Sequence, residues 1–231
     1  MNYRMVYLGE TDSTNSWLRE QGGEEDMVAW TDYQTAGRGC GTNQWESERG
    51  KNLLFSILIH PVEVRPSEQF RISMAISLAI VSALSDYADG WSIKWPNDIY
   101  WHNQKICGIL IENRLSYGVI KDCIIGVRLN VNQREFQSDA PNPVSLRQVL
   151  GHDVEREELL YKIMDCFSIA KDNGPRYRSM LYRRTGFHPY RDADGDFEAE
   201  IVDVENDGHL LLKDRTGRER RYAFKEVAFV L

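Results

Sequence analysis

Three short stretches carry residue types that can do chemistry. The first is Gln34-Thr35-Ala36-Gly37-Arg38-Gly39-Cys40-Gly41-Thr42-Asn43-Gln44-Trp45. Closely spaced glycines let backbone N–H groups converge on an anion, and an arginine among them adds a bidentate donor fork. The run is neither a dinucleotide fingerprint nor a P-loop. Thr42 stands where the last glycine of G-x-G-x-x-G would be, and no Gly-Lys-Ser/Thr follows. A plain surface loop explains it equally well. The second stretch is Lys94-Trp95-Pro96-Asn97-Asp98. Pro-Asn-Asp is good turn chemistry, so a hairpin accounts for three of its residues. It does not account for a lysine and a tryptophan closing an apolar strand. The third is Lys105-Ile106-Cys107-Gly108-Ile109-Leu110-Ile111-Glu112. A lysine opens a strand that otherwise alternates into a core, and Gly108 inside it suggests close approach by a ligand or another backbone. The plainer reading of Lys105 is an edge-strand charge.

These stretches need elements to hold them. Residues 5–8 read as a first strand, and Asp12-Ser13-Thr14 offers cap residues to a helix over 15–20 that Gly22-Gly23 ends. A second strand covers 27–30, and a strongly apolar one covers 53–59. The polar stretch 34–50 between them is long for a loop in a compact domain, which marks it as functional or disordered. Ser67 reads as the cap of a helix reaching Asp86, apolar nearly all round and therefore buried. Strands at 91–95, 99–101, 105–113 and 119–131, parted by short turns, have the spacing of an antiparallel meander. An amphipathic helix is expected over 153–172, broken by Gly174-Pro175, with another helix over 177–184. Residues 188–196 read as a boundary, followed by tail strands at 197–204, 210–213, 220–224 and 227–231. A tail of about forty residues is marginal alone and must pack on the rest. Two domains are expected, 1–187 and 188–231, in an α+β chain built on a mixed, largely antiparallel sheet with packed helices.

Composition removes several function classes. The net charge of −7 argues against a nucleic-acid partner, which calls for a basic surface. No apolar run approaches the ~20 residues that cross a bilayer, and the N-terminal residues have no signal-peptide core. The four cysteines form no C-x-x-C pair, so neither a zinc site nor a disulfide framework is indicated. A cytoplasmic protein with reduced thiols, no membrane contact and no protein-held metal is expected. In the tail, Lys213, Arg215, Arg218, Arg220, Arg221 and Lys225 read either as a basic patch for an acidic partner or as a solvated strand face.

Taken in order, Asp12-Ser13-Thr14-Asn15, Gly37-Arg38-Gly39, Lys94 to Asp98, Lys105 to Glu112 and Gly126-Val127-Arg128-Leu129-Asn130 resemble the biotin–protein ligase family. Its pattern is an S-T-N helix start, a G-R-G loop, K-W-P-N-D, a K-x-x-G-I-L-x-E strand and a G-x-x-x-N strand end. The resemblance covers residues 5–132 strongly, and the tail resembles the family's SH3-like module. It implies a catalytic fold like that of class II aminoacyl-tRNA synthetases, with a small SH3-like β-barrel behind it. It also implies an ATP-dependent, AMP-forming ligase. Biotin's carboxylate would attack the α-phosphate of ATP, with Mg2+ accompanying the nucleotide. The ε-amine of one lysine on a biotin carboxyl carrier protein would then attack the biotinyl-5′-AMP. Sheet-edge homodimers are compatible with such a fold.

The same resemblance implies roles. Ser13, Thr14 and Gln34 would meet the ureido edge of biotin, with Gly37, Gly108 and Gly126 letting backbone come close. Arg38 and Lys105 would face carboxylate and phosphate. Gly39, Cys40, Trp45, Asn97 and Asn130 would surround the nucleotide, with Trp45 as a wall. Asp98 would orient the acceptor lysine or take its proton, and turn formation explains it as well. The chain departs from the pattern where Cys40 and Thr42 replace a second loop arginine and a closing glycine. It departs again at Arg128, where a small glycine is common. Three rivals stand beside this reading: a lipoate or octanoate ligase, a ligand-binding module without catalysis, and a biotin-responsive DNA-binding repressor. The S-T-N motif begins by residue 13, leaving no room before it for a helix-turn-helix.

Overall fold

The computed structural model describes residues 3–37, 47–137 and 142–230. A seven-stranded sheet forms the larger part. Its strands are β1 (Arg4–Thr11), β2 (Met27–Gln34), β3 (Leu53–Ile59), β4 (Trp91–Lys94), β5 (Asp98–Trp101), β6 (Gln104–Ser116) and β7 (Val119–Leu129), ordered β1-β2-β3-β7-β6-β5-β4. Only β1 and β2 run parallel; the other neighbours are antiparallel, as the meander spacing predicts. The β4 edge is partly covered, because Ile93 exchanges backbone hydrogen bonds with Met180 and Tyr182. The edge of the large sheet left for pairing is therefore β1.

Strand β3 shows how the sheet separates two layers. Phe55 and Ile57 pair with Val127 and Ile125 and face the long helix α2 (Phe70–Ser85). Leu54, Ser56 and Leu58 pair with Arg128, Gly126 and Ile124 and face the short helix α1 (Thr14–Gln21). The α2 side carries the main core, shared with α4 (Arg156–Cys166) and α5 (Asn173–Ser179). The α1 side has a small one: Leu18, Met27, Ala29, Leu58 and Ile124. This thin second layer leaves part of the sheet face free for a site.

Local differences from the sequence reading have local causes. Ser67 caps nothing: it lies in a 3-10 turn, Pro66–Glu68, and α2 begins after Gln69 without a side-chain cap. The predicted helix over 153–172 ends at Cys166, where Phe167 turns to extended backbone (ψ 113°). Gly174-Pro175 opens α5 instead of breaking a helix. Proline is tolerated in a first turn, whose N–H groups have no intrahelical acceptor. A further helix, α3 (Leu146–Leu150), was not expected. It has a capping box between Ser145 and Gln148 and a left-handed Gly151 (φ 82°) at its end.

The expected boundary at 188–196 is itself a hairpin. Strands β8 (His188–Asp192), β9 (Gly195–Val204), β10 (Leu210–Asp214), β11 (Glu219–Tyr222) and β12 (Ala228–Phe229) form a second sheet, ordered β11-β10-β9-β8-β12. Three of the six cations read as a patch are held in ion pairs. Arg215 pairs with Glu198, Arg220 with Asp192 and Asp214, and Arg221 with Glu205 and Asp207. The sheet buttresses the Lys94–Asp98 turn. Trp95 Nε1 donates to Gly208 O at 2.9 Å, and Lys94 Nζ lies 5.1 Å from the centre of the Phe229 ring. Gly208 (φ 93°) sits so close to the Phe70 ring that a Cβ there would clash with it. Burial pushes the Lys94 ammonium below its usual pKa, partly offset by Asp98.

Asp214 organises the β10–β11 turn. It accepts from Thr216 Oγ1 (2.6 Å), from the N–H groups of Thr216 and Arg218, and from Arg220. The Thr216 hydroxyl first, then these other donors, hold its carboxyl at about 2 against the burial that would raise it. A depressed folded pKa stabilises the fold above the unfolded value of ~3.9. That contribution disappears as pH falls through about 2. Asp214→Asn should therefore lower the melting temperature at pH 7, with the gap to wild type closing between about pH 4 and pH 2. Thermal melts across that range check it, and a gap independent of pH would contradict it.

Candidate functional site

The first half of the site is a continuous hydrogen-bonded chain at the start of α1. Ser13 is the N-cap, with its own N–H bound to Asp12 Oδ1 at 2.6 Å. Thr14 N donates to Gln34 Oε1 at 2.9 Å, tying the helix start to the end of β2. Thr14 Oγ1 lies 2.6 Å from Ser56 Oγ, Ser56 Oγ donates to Asn15 Oδ1 at 2.5 Å, and Asn15 Nδ2 donates to Glu112 Oε2 at 2.7 Å. Arg19 closes the chain on Glu112 at 2.9 Å. Proton directions follow from the ends inward. Glu112 only accepts, so the Asn15 amide must present Oδ1 to Ser56. The Ser56 proton is then used, so Thr14 gives its proton to Ser56 at 2.6 Å, with Gln34 Oε1 a second, longer contact at 3.3 Å. Gln34 Nε2 makes no hydrogen bond with a described residue. The cluster can thus both accept from and donate to a polar ligand.

Gly126 lies under this cluster. A Cβ there would come within 3.0 Å of Asn15 Cγ and nearer still to Oδ1. The group that comes close to Gly126 in the structure is Asn15. Gly37 makes no such demand: a Cβ there would meet Gln34 at an ordinary 3.5 Å. The loop beginning at Gly37 is pinned at both ends. Thr35 and Ala36 donate to Thr11 O and Asp12 O, and on the return side Gly50 N donates to Asp32 O. Asp32 binds Tyr7 and Arg156; burial raises its pKa, but these two partners outweigh it and hold the carboxyl below its usual value. Asn52 joins Gln133 Oε1 (2.6 Å) and Val131 N (3.1 Å). Arg38, Gly39, Cys40 and Trp45 lie outside the described residues.

The second half gathers at the other end of the same face. Lys105 Nζ contacts Asp98 Oδ2 at 2.7 Å, both side chains about a quarter exposed. A bulge between Ile99 and Tyr100 puts Lys105 opposite Tyr100, on the face shared by Asp98 and Lys94. Asn130 N donates to Ile106 O, its Nδ2 donates to Val144 O at 3.1 Å, and its buried Oδ1 has no partner among the described residues. Val144 N in turn donates to Lys105 O. Asn97 is half-buried beside Asp98. Gly108 pairs with Arg128, midway between the two halves. The structure therefore joins Ser13, Thr14, Gln34 and Gly126 in one group and Asp98, Lys105 and Asn130 in another. Sequence reasoning missed Asn15, Ser56 and Glu112 as members. Asn15 and Glu112 stood in motifs already quoted, and Ser56 offered its own signal, a polar residue in the middle of an apolar strand.

From Gly126 to Asn130 the row runs four residues along β7, about 13 Å. One end offers neutral donors and acceptors, the other a lysine ammonium. That suits an elongated ligand, polar at one end and anionic at the other. A separate cavity of about 350 Å³ lies past the Glu112 end, against His60, Arg114 and Asp122. Its charges are already paired, as Arg19–Glu112, Arg114–Asp122 and His60–Asp26. It offers less to a charged ligand than the row does.

Fold and row together offer one face of a mixed sheet whose chemistry suits a small carboxylic acid. Residues 8–130, more than half of the chain, match the Biotin/lipoate A/B protein ligase family, and the chain belongs to that family, on its biotin–protein ligase branch. The bifunctional ligase/repressor BirA of Bacillus subtilis is 27% identical, aligning over 96% of this chain and 73% of its own. The biotin–[acetyl-CoA-carboxylase] ligase of Paracoccus denitrificans is 28% identical over 92% of this chain and 95% of its own. The biotin protein ligase of Aquifex aeolicus, in complex with biotin and ATP, superposes with a TM-score of 0.80 at 25% identity, covering 97% of each chain.

Gly126→Ala should lift α1 from the sheet and break the Asn15–Ser56 contact. Overpacking of this kind costs about 1–3 kcal/mol. Thermal melts with and without biotin should show a lower melting temperature and a smaller biotin-induced rise. A variant melting with wild type would show that α1 has room to spare.

Proposed function

We propose that this chain activates biotin with ATP to biotinyl-5′-AMP and pyrophosphate, then transfers biotin to a lysine of a biotin carboxyl carrier protein. The observation that carries the reading is the row itself. A neutral network at Thr14, Gln34 and Ser56 suits the ureido ring, and Lys105 lies about 13 Å along β7, where carboxylate and phosphate would meet. In the first step a biotin carboxylate oxygen bonds to the α-phosphorus and pyrophosphate leaves. In the second the lysine nitrogen bonds to the acyl carbon, AMP leaves, and the nitrogen gives up a proton. No covalent enzyme intermediate is required. The chain's task is to align reactants, offset charge and exclude water.

Within this reading, Ser13, Thr14, Gln34 and Gly37 hold the ureido edge, and Gly108 and Gly126 leave room for the ring and chain. Lys105 offsets charge at the α-phosphate, aided by Arg38. Asn97, Asn130, Gly39, Cys40 and Trp45 surround the nucleotide. The roles of Arg38, Gly39, Cys40 and Trp45 rest on sequence. Asp98 accepts from Lys105 at 2.7 Å, which supports a positioning role. Magnesium enters with ATP. Among the described residues, a group of three possible ligands lies at Glu205, Asp207 and His209 in the second sheet. At the Lys105 end, Asp98 is engaged by Lys105. Residues 1–187 would then be the catalytic domain and 188–231 the β module that supports the Lys94–Asp98 turn.

Biotin-dependent exchange of labelled pyrophosphate into ATP tests the reading, with lipoate as the competing acid. Exchange with biotin and not lipoate is expected, as is mass-detected biotinylation of a carrier domain. Lipoate dependence without biotin dependence would overturn it. Lys105→Met should slow the exchange by about 10²–10³-fold, the usual loss for one charge-stabilising donor. A variant exchanging at the wild-type rate would remove Lys105 from the reaction.

A further inference from the structure

We propose that Arg128 contacts the anionic end of the bound acid, its carboxylate before activation and the α-phosphate after it. The inference rests on the reading above and extends it to a residue on the sheet. Alternation along β7 puts Arg128 on the same face as Gly126, the face that meets α1. It stands one two-residue step, about 7 Å, from the polar network and the same distance from Asn130. That is the middle of the row, between the neutral network and the Lys105 end at which carboxylate and phosphate would meet.

The surroundings of Arg128 are built around it. Gly108 faces it across the β6–β7 ladder, so no side chain covers it from there. Gly37 comes over it from the loop: a Cβ on Gly37 would lie 3.8 Å from Arg128 Nε. The residue is only 6% exposed, and its Nε is buried with no partner among the described residues. No carboxylate among them forms an ion pair with it. Glu112, the carboxylate that acts on it at longer range, is engaged by Asn15 and Arg19. Burial pushes the guanidinium below its usual pKa, the sign of a cation short of compensation.

A buried cation without a counter-ion is costly, and a cation kept there is repaid when an anion binds. The planar fork of arginine matches carboxylate and phosphate oxygens in pairs. A glycine is common at this position in the pattern that the chain resembles, so the arginine marks this chain in particular. The loop sequence beyond Gly39 begins with Cys40, not a further cation, which leaves an anion more dependent on the sheet.

The test compares biotin with biotinamide, which has the same ring and chain but no charge. Binding of each is measured by calorimetry to wild type, Arg128→Gln and Arg128→Lys. Wild type should prefer biotin. Arg128→Gln should weaken biotin about 10–100-fold, as expected for losing one charged hydrogen-bonding partner, and weaken biotinamide less than about threefold. Arg128→Lys should restore part of the preference. Equal weakening of both ligands would overturn the proposal, as would tighter binding in Arg128→Gln, which would make Arg128 a plug. Equal affinity of wild type for the two ligands would overturn it without any variant. Wild-type protein that neither binds biotin nor exchanges pyrophosphate would defeat the functional reading instead.

Discussion

The site depends on how closely α1 lies against the sheet, and Asn15 over Gly126 sets that distance. With a Cβ at 126 the Asn15 amide could not occupy its place. With it in place, Asn15 joins Ser56 to Glu112 and fixes the direction of every proton from Glu112 back to Thr14. An unmade hydrogen bond in a buried chain costs more than a made one contributes, so the chain holds as a unit. The polar end of the row is therefore set before any ligand arrives.

The anionic end has a different support. Lys94 to Asp98 is a turn between two short strands and would be mobile alone. The second sheet braces it through Trp95 and Gly208, and α5 adds the Tyr177 hydroxyl, which donates to Pro96 O at 2.6 Å. Asp98 then holds Lys105, and Lys105 is joined through Val144 to Asn130. The second sheet thus packs on the Lys94–Asp98 turn, and none of its described side chains joins the row.

Much of the frame was legible because its signals are local. The apolar run 53–59, the turns of the meander and the helix start at Ser13 all depend on near neighbours in sequence, and all are present. Ser67 misled because a good cap residue says nothing about the dihedrals that Pro66 imposes in the 3-10 turn ahead of the helix. The capping box at Ser145 and Gln148, with Gly151 after it, was a readable signal that went unread. The tail arginines looked like a patch because their acidic partners come from other strands.

By itself the sequence determined which residue types the chain has for chemistry, the order of its elements and the family to which its motifs point. Those properties follow from spacing along the chain. Only the tertiary structure decided which of them meet. Asn15 reaches Glu112 across ninety-seven positions, a pairing created by laying a helix on a sheet. The same packing gave Gly126 its reason, gave Asp98 to Lys105, and put Arg128 between Gly37 and Gly108 without a counter-ion among the described residues. Burial and unpaired charge are properties of packing in three dimensions, so no spacing could have stated them.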